Sequence, residues 1–68
     1  MRYAVVIEKA GQGYSGYVPD LPGCVAAGAT VEAVQRELAM AIPFHLEGLS
    51  AGGQVVTAPE SVVSWVEV

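Results

Sequence analysis

Residues 13–24, "GYSGYVPDLPGC", decide the fold. They gather three glycines, two prolines, two tyrosines, the only aspartate and the only cysteine of the chain. "YSGYV" reads as a strand, because two aromatics and a valine fit a pleated surface. Pro19 stops it, since proline has no N–H to give to a ladder. "PDLPG" is then a rigid loop: Pro22-Gly23 is a turn dipeptide, and Asp20 can bond its own backbone. "CVAAG" resumes as a short strand of small residues. The stretch is a strand–turn–strand unit, and the rest of the chain must be arranged about it.

Upstream, residues 2–8, "RYAVVIE", alternate as a strand does. Tyr3, Val5 and Ile7 fall on one face, and Arg2, Ala4, Val6 and Glu8 on the other. "KAGQG" supplies glycines for a hairpin turn. Downstream, Thr30 is a good N-cap, with Glu32 favourably placed in the first turn. From Val31 the period becomes helical: Val31, Val34, Leu38, Ala41, Ile42, Leu46 and Leu49 form one apolar face, while Arg36, Met40 and Glu47 point away. Pro43 lies inside this pattern and removes one bond to Ala39, at a cost of about 3 kcal/mol before compensation. The apolar face keeps its phase across Pro43, so the pattern predicts one kinked helix, ended by Gly52-Gly53. "SVVSWVEV" predicts a last strand, beside the first and parallel to it through a right-handed crossover. The expected fold is α+β: β-β-β-α-β, a mainly antiparallel four-stranded sheet with one helix on one face, in a single domain over 1–68.

A chain of 68 residues that is 53% hydrophobic and 15% charged is too apolar to stay disordered, yet too short to bury a large core. One cysteine permits no internal disulfide. Cys24 and His45 stand alone, so neither a metal site nor a cofactor is expected. Oligomerisation is the remaining route to stability, and a homo-oligomer, dimer or tetramer, is expected. The net charge is -4, with three basic residues against seven acidic ones. Three scattered cations cannot neutralise many phosphates, which argues against direct nucleic-acid binding. An acidic surface suits a basic protein partner instead. No apolar run reaches the roughly 18 residues of a membrane span. The start lacks a signal-peptide pattern, and a lone cysteine fits a cytoplasmic location.

The ordered segments "VVIEKAGQGYSGYVPDLPGCVAAGATVE", "AIPFHLEGL" and the closing "VEV" resemble the HicB family of antitoxins over nearly the whole chain. The most specific part is "GYVPDLPGCVAAGATVE". The resemblance implies a β-β-β-α-β unit with partial ribonuclease-H-like topology. It also implies a binding function: HicB proteins mask HicA toxins, small basic proteins that cleave messenger RNA with a histidine. Many relatives carry a C-terminal DNA-binding domain. The sequence reaches Val68 without one, so operon repression by this chain is not expected. Ala33 stands where many relatives have a glutamate, which leaves Thr30 without the reciprocal half of a capping box.

The residues expected to meet a partner are Tyr17, Asp20, Leu21, Glu32, Glu37 and Trp65. Leu21 is the apolar candidate of the loop, and Glu32 and Glu37 are rim charges that speed association. Tyr17 and Trp65, with Ala4 and Val6, belong to a second sheet face apolar enough for association. Asp20 has a plainer role in organising the turn between Pro19 and Pro22. Cys24 is expected to be inert, because reactive thiols want an electropositive setting. His45 falls on the apolar helix face as a packed residue. Glu8, Glu32, Glu37 and Glu67 invite comparison with two-metal nucleases. The strand carboxylates of that chemistry are mostly aspartates, however, and the only aspartate here lies in the loop. No enzyme is expected. The reading is an antitoxin-like protein that masks a small basic HicA-type toxin; the alternative is a stand-alone oligomeric module for another protein or a small ligand.

Overall fold

The computed structural model describes residues 1–68. Three strands form an antiparallel sheet in the order β1 (Val6–Ala10), β2 (Gly13–Tyr17), β3 (Val25–Gly28), followed by one long helix, α1 (Val31–Ala51). Ala10 pairs with Gly13, so the first hairpin turns on the two residues Gly11 and Gln12. Gly11 has φ 58°, the positive value that a type II′ loop wants at its first position. Val6 pairs with Tyr17, and Tyr17 in turn with Val25, which fixes the register of all three strands.

That register separates two faces. The inner face carries Ile7, Tyr14, Gly16, Ala26 and Gly28 toward the helix. Tyr3 and Val5 continue it beyond the ladder and pack on the core, as the alternation of residues 2–8 predicts. The strand itself starts only at Val6, because β2 ends at Tyr17 and offers residues 2–5 no partner.

The loop between β2 and β3 is two consecutive turns, each with proline at its second position. Leu21 N–H donates to Val18 O at 3.0 Å across Pro19-Asp20, and Cys24 N–H donates to Leu21 O at 3.0 Å across Pro22-Gly23. Gly23, at φ 87°, takes the third position of a type II turn, where a side chain would be strained. Val18 N–H closes the unit onto Cys24 O at 3.1 Å. The corners Val18, Leu21 and Cys24 recur every third residue, and all three point inward.

Those corners join Val34 and Leu38 to make the buried core. Ala41, Ile42, Leu46 and Leu49 extend the helix's contribution, so the apolar face read from the sequence is the packed one except at Val31, which lies in the first turn and is exposed. The helix begins as expected: Thr30 Oγ1 accepts a hydrogen bond from Ala33 N–H at 3.0 Å. It runs through Pro43 without a break and stops at Gly52, whose N–H bonds back to Gly48 O. It lies close on the sheet because β2 and β3 present glycines to it. A Cβ on Gly16 would sit 2.8 Å from Val34 Cγ1 and 3.1 Å from Leu38 Cδ1.

The expected fourth strand does not form within the chain, and the four-stranded, ribonuclease-H-like arrangement is corrected to three strands and one helix. Residues 54–68 carry no ladder. Glu60 and Ser61 N–H groups instead reach the Asp20 carboxylate at 3.2–3.3 Å. From that anchor the tail passes the β1 flank of the sheet, where it was expected, but open clefts separate Ser61–Trp65 from Arg2–Ile7.

Candidate functional site

No three His, Cys, Asp or Glu side chains come together as a metal site would require. Cys24 is buried, and burial pushes its thiol pKa up, away from the thiolate that nucleophilic or redox chemistry uses. His45 is half-buried, with its ring over the Gly23 turn. The chain has two distinct exposed surfaces.

The first is the outer flank of α1. Glu32, Arg36, Glu37, Met40, Phe44 and Glu47 are all exposed. Glu37, Met40, Phe44 and Glu47 follow one another at three- and four-residue steps, so they form one stripe. It has carboxylates at its ends and two large apolar side chains between them; Phe44 is 80% exposed. Glu32 lies in the first turn, where the positive end of the helix dipole favours a carboxylate. Sequence reading found Glu32 and Glu37 but passed over Phe44. Its signal was helical phase: it sits outside the face defined by Val34 and Leu38.

The second surface is the outer face of the sheet with the tail. Val6, Tyr17 and Val25 are cross-strand neighbours and form a row across all three strands. Tyr17 and Val25 are exposed, and no element covers the row. Val25 was not singled out from the sequence, although its alternation with Cys24 carried the signal. Beside the row runs the tail, with Trp65 90% exposed and Val62 88% exposed. Trp65 lines a cleft with Ala4, Val6 and Pro19 at the β1 flank, whereas Glu32 and Glu37 stand on the helix.

Two expected contact residues are committed inside the molecule. Leu21 is only 5% exposed and is a corner of the double turn, so its side chain is not on offer as a surface anchor. Asp20 is half-buried and holds the start of the tail through Glu60 and Ser61. Its carboxylate bonds a distant segment rather than its own turn.

The fold is a small α+β unit, a three-stranded antiparallel sheet backed by one helix, with one exposed surface on α1 and one on the outer face of the sheet. Residues 3–68 match the family described as HicB_like antitoxin of bacterial toxin-antitoxin system, and the chain belongs to that family. It is 36% identical over 64 residues to a UPF0150 protein of Helicobacter pylori, covering 93% of this chain and 89% of that one. It is 45% identical over 49 residues to an uncharacterized 14.9 kDa protein of Haemophilus phage HP1; the match takes in 72% of this chain but only 37% of the phage protein. Among solved structures it is similar to a chain of the HicA3 and HicB3 toxin-antitoxin complex. There the TM-score is 0.72 at 32% identity, over 87% of this chain and 70% of that one.

Proposed function

We propose that this chain is an antitoxin that binds a small basic HicA-type toxin and blocks access of messenger RNA to it. The observation that carries the reading is the family match over residues 3–68, supported by likeness to a chain of a HicA3–HicB3 complex. Charge agrees with it. A net charge of -4 complements a surface built to hold RNA, and complementary fields speed encounter. The acidic stripe of α1 is the toxin-facing surface in this reading. Glu32, Glu37 and Glu47 steer the approach, and Met40 and Phe44 supply the apolar anchors that hold the complex. Asp20 and Leu21 act indirectly, by fixing the turn and the tail.

Masking needs occupation of the toxin, not catalysis, and nothing in the proposal requires a metal or cofactor. No helix is long and apolar enough to cross a membrane. A free, buried Cys24 suits a reducing cytoplasm, where messenger RNA is cut.

The experiment is co-expression with a HicA-type toxin, sought first as a short, basic, histidine-containing protein encoded next to this chain. Growth arrested by the toxin should recover when the chain is induced, and should recover less with Glu32→Lys/Glu37→Lys/Phe44→Ala. Unrelieved arrest despite well-expressed chain would favour the alternative, a stand-alone oligomeric module for another protein or small ligand.

A further inference from the structure

The tail Ser61–Val68 has the composition of a buried strand and the environment of an unpaired one. "SVVSWVEV" puts Val63 and Trp65, between Ser61 and Glu67, on one side of an extended chain and Val62, Ser64, Val66 and Val68 on the other, so both sides are mainly apolar. A strand apolar on both sides belongs inside a sheet that is covered on both faces. Here every residue from Ser61 to Val68 is exposed. None of them makes a backbone–backbone hydrogen bond. The outer edge of β1 is equally bare, since the sheet order is β1-β2-β3 and β1 pairs only with β2. Between that edge and the tail lies a cleft of about 480 Å³, lined by Ala4, Val6, Ile7, Pro19, Val63 and Trp65 among others.

We infer that a second copy of this chain fills the cleft, each copy laying its Ser61–Val68 segment as a strand against the β1 edge of the other. The exchange is self-complementary: the same donor strand and the same acceptor edge occur in both copies, as a two-fold dimer requires. Each tail then gains the ladder its own chain withholds. The Val6–Tyr17–Val25 rows lie next to the new strands and are drawn into the covered region.

The size of the bare surface agrees with a permanent dimer. The chain exposes 5242 Å². A compact protein of 7.0 kDa exposes about 4,000 Å². Its radius of gyration is 13.1 Å, against about 11 Å for a compact chain of this length. The surplus is roughly 1,200 Å² per copy. Burying it in both copies removes roughly 2,400 Å², within the range of obligate homodimers. The lining of the cleft itself, Ala4 to Ile7, Pro19 and Ser61 to Trp65, carries no charged side chain, which suits the apolar tail of a second copy better than a basic protein. The anchor at Asp20 sets where the exchanged strand departs, so the tail leaves each copy in a defined place.

Trp65 is the only tryptophan, so its fluorescence reports this interface alone. In wild-type chain at micromolar concentration, light scattering should give twice 7.0 kDa, with Trp65 emission shifted to the short wavelengths of a buried indole. Dilution should return the mass to one copy and the emission to that of solvated indole together. Trp65→Arg, at a residue with no core contact, should be monomeric with an unchanged circular dichroism spectrum of its helix. Phe44→Arg, on the other surface, should remain a dimer. A wild-type monomer at these concentrations overturns the proposal, as does a dimer whose Trp65 stays solvated. An emission shift that comes only on adding the basic toxin also overturns it, and assigns the face to that partner.

Discussion

Replacing Gly16 with alanine puts a methyl group where the helix rests on the sheet. It would lie 2.8 Å from Val34 Cγ1, 3.1 Å from Leu38 Cδ1 and 3.1 Å from Val6 O. The neighbours have little room to give: Val34 is 0% exposed and Leu38 1%, and the oxygen belongs to the β1 backbone. Overpacking of this kind costs about 1–3 kcal/mol. Alanine also restricts the unfolded chain, which returns about 0.4–1 kcal/mol. The net loss is about 1–2 kcal/mol, a large share of the roughly 3–10 kcal/mol that a 68-residue domain holds. In thermal melts it should lower Tm by about 4–16 °C. The same substitution at Gly48 is the control. A Cβ there meets nothing within 4 Å, and the helix position is an ordinary one, so Gly48→Ala should stabilise by about 1 kcal/mol. Both melts belong at one protein concentration, because association adds to apparent stability. If Gly16→Ala melts at or above the wild type while Gly48→Ala behaves as expected, α1 does not rest on β2 as described.

Thr30→Ala removes the acceptor for Ala33 N–H and should cost about 1 kcal/mol in denaturant titration; an unchanged midpoint would mean that the cap is not Thr30. Asp20→Ala frees the Glu60 and Ser61 amides, whose hydrogen exchange should accelerate while that of β2 does not; equal protection in wild type and variant would contradict the anchor. Cys24 should react slowly with a thiol reagent in the native protein and quickly once unfolded, since burial both shields the thiol and raises its pKa. The linked pH effect has a definite sign. The unfolded thiol ionises at its ordinary pKa and the folded one only above it, so stability from this group is intact below the ordinary value. It falls as pH rises toward the raised one, and Cys24→Ser should flatten that alkaline decline.

The sheet's first hairpin, the double-proline loop, the Thr30 cap and the packed helix face were legible in the sequence because each rests on local chemistry. Glycine takes a positive φ, proline denies a ladder its N–H, threonine caps, and apolar residues recur at helical steps. The direction of the loop's side chains was not legible. Leu21 looks like a surface anchor when "PDLPG" is read as an open loop. Only when two consecutive turns close through Val18, Leu21 and Cys24 does it become a core residue. The tail was half legible. Its valines and Trp65 announce a strand, but strand pairing depends on which edge is reachable, and composition does not encode that. Asp20 ties down the tail's start across 40 residues of sequence, a contact that no local pattern predicts. Phe44 was missed because the helical period was read for its buried face and its charged positions, and an apolar residue outside that face belongs to neither.

The central claim is that this chain neutralises a toxin by masking it. The direct measurement is cleavage of a defined messenger RNA by the purified HicA-like toxin, with increasing amounts of the chain. Cleavage should fall to background as the chain reaches equivalence, a complex of the two proteins should elute together on a sizing column, and Glu32→Lys/Glu37→Lys should slow inhibition most at low salt. RNA cut equally fast in the presence of excess chain, with the two proteins eluting apart, would contradict the account.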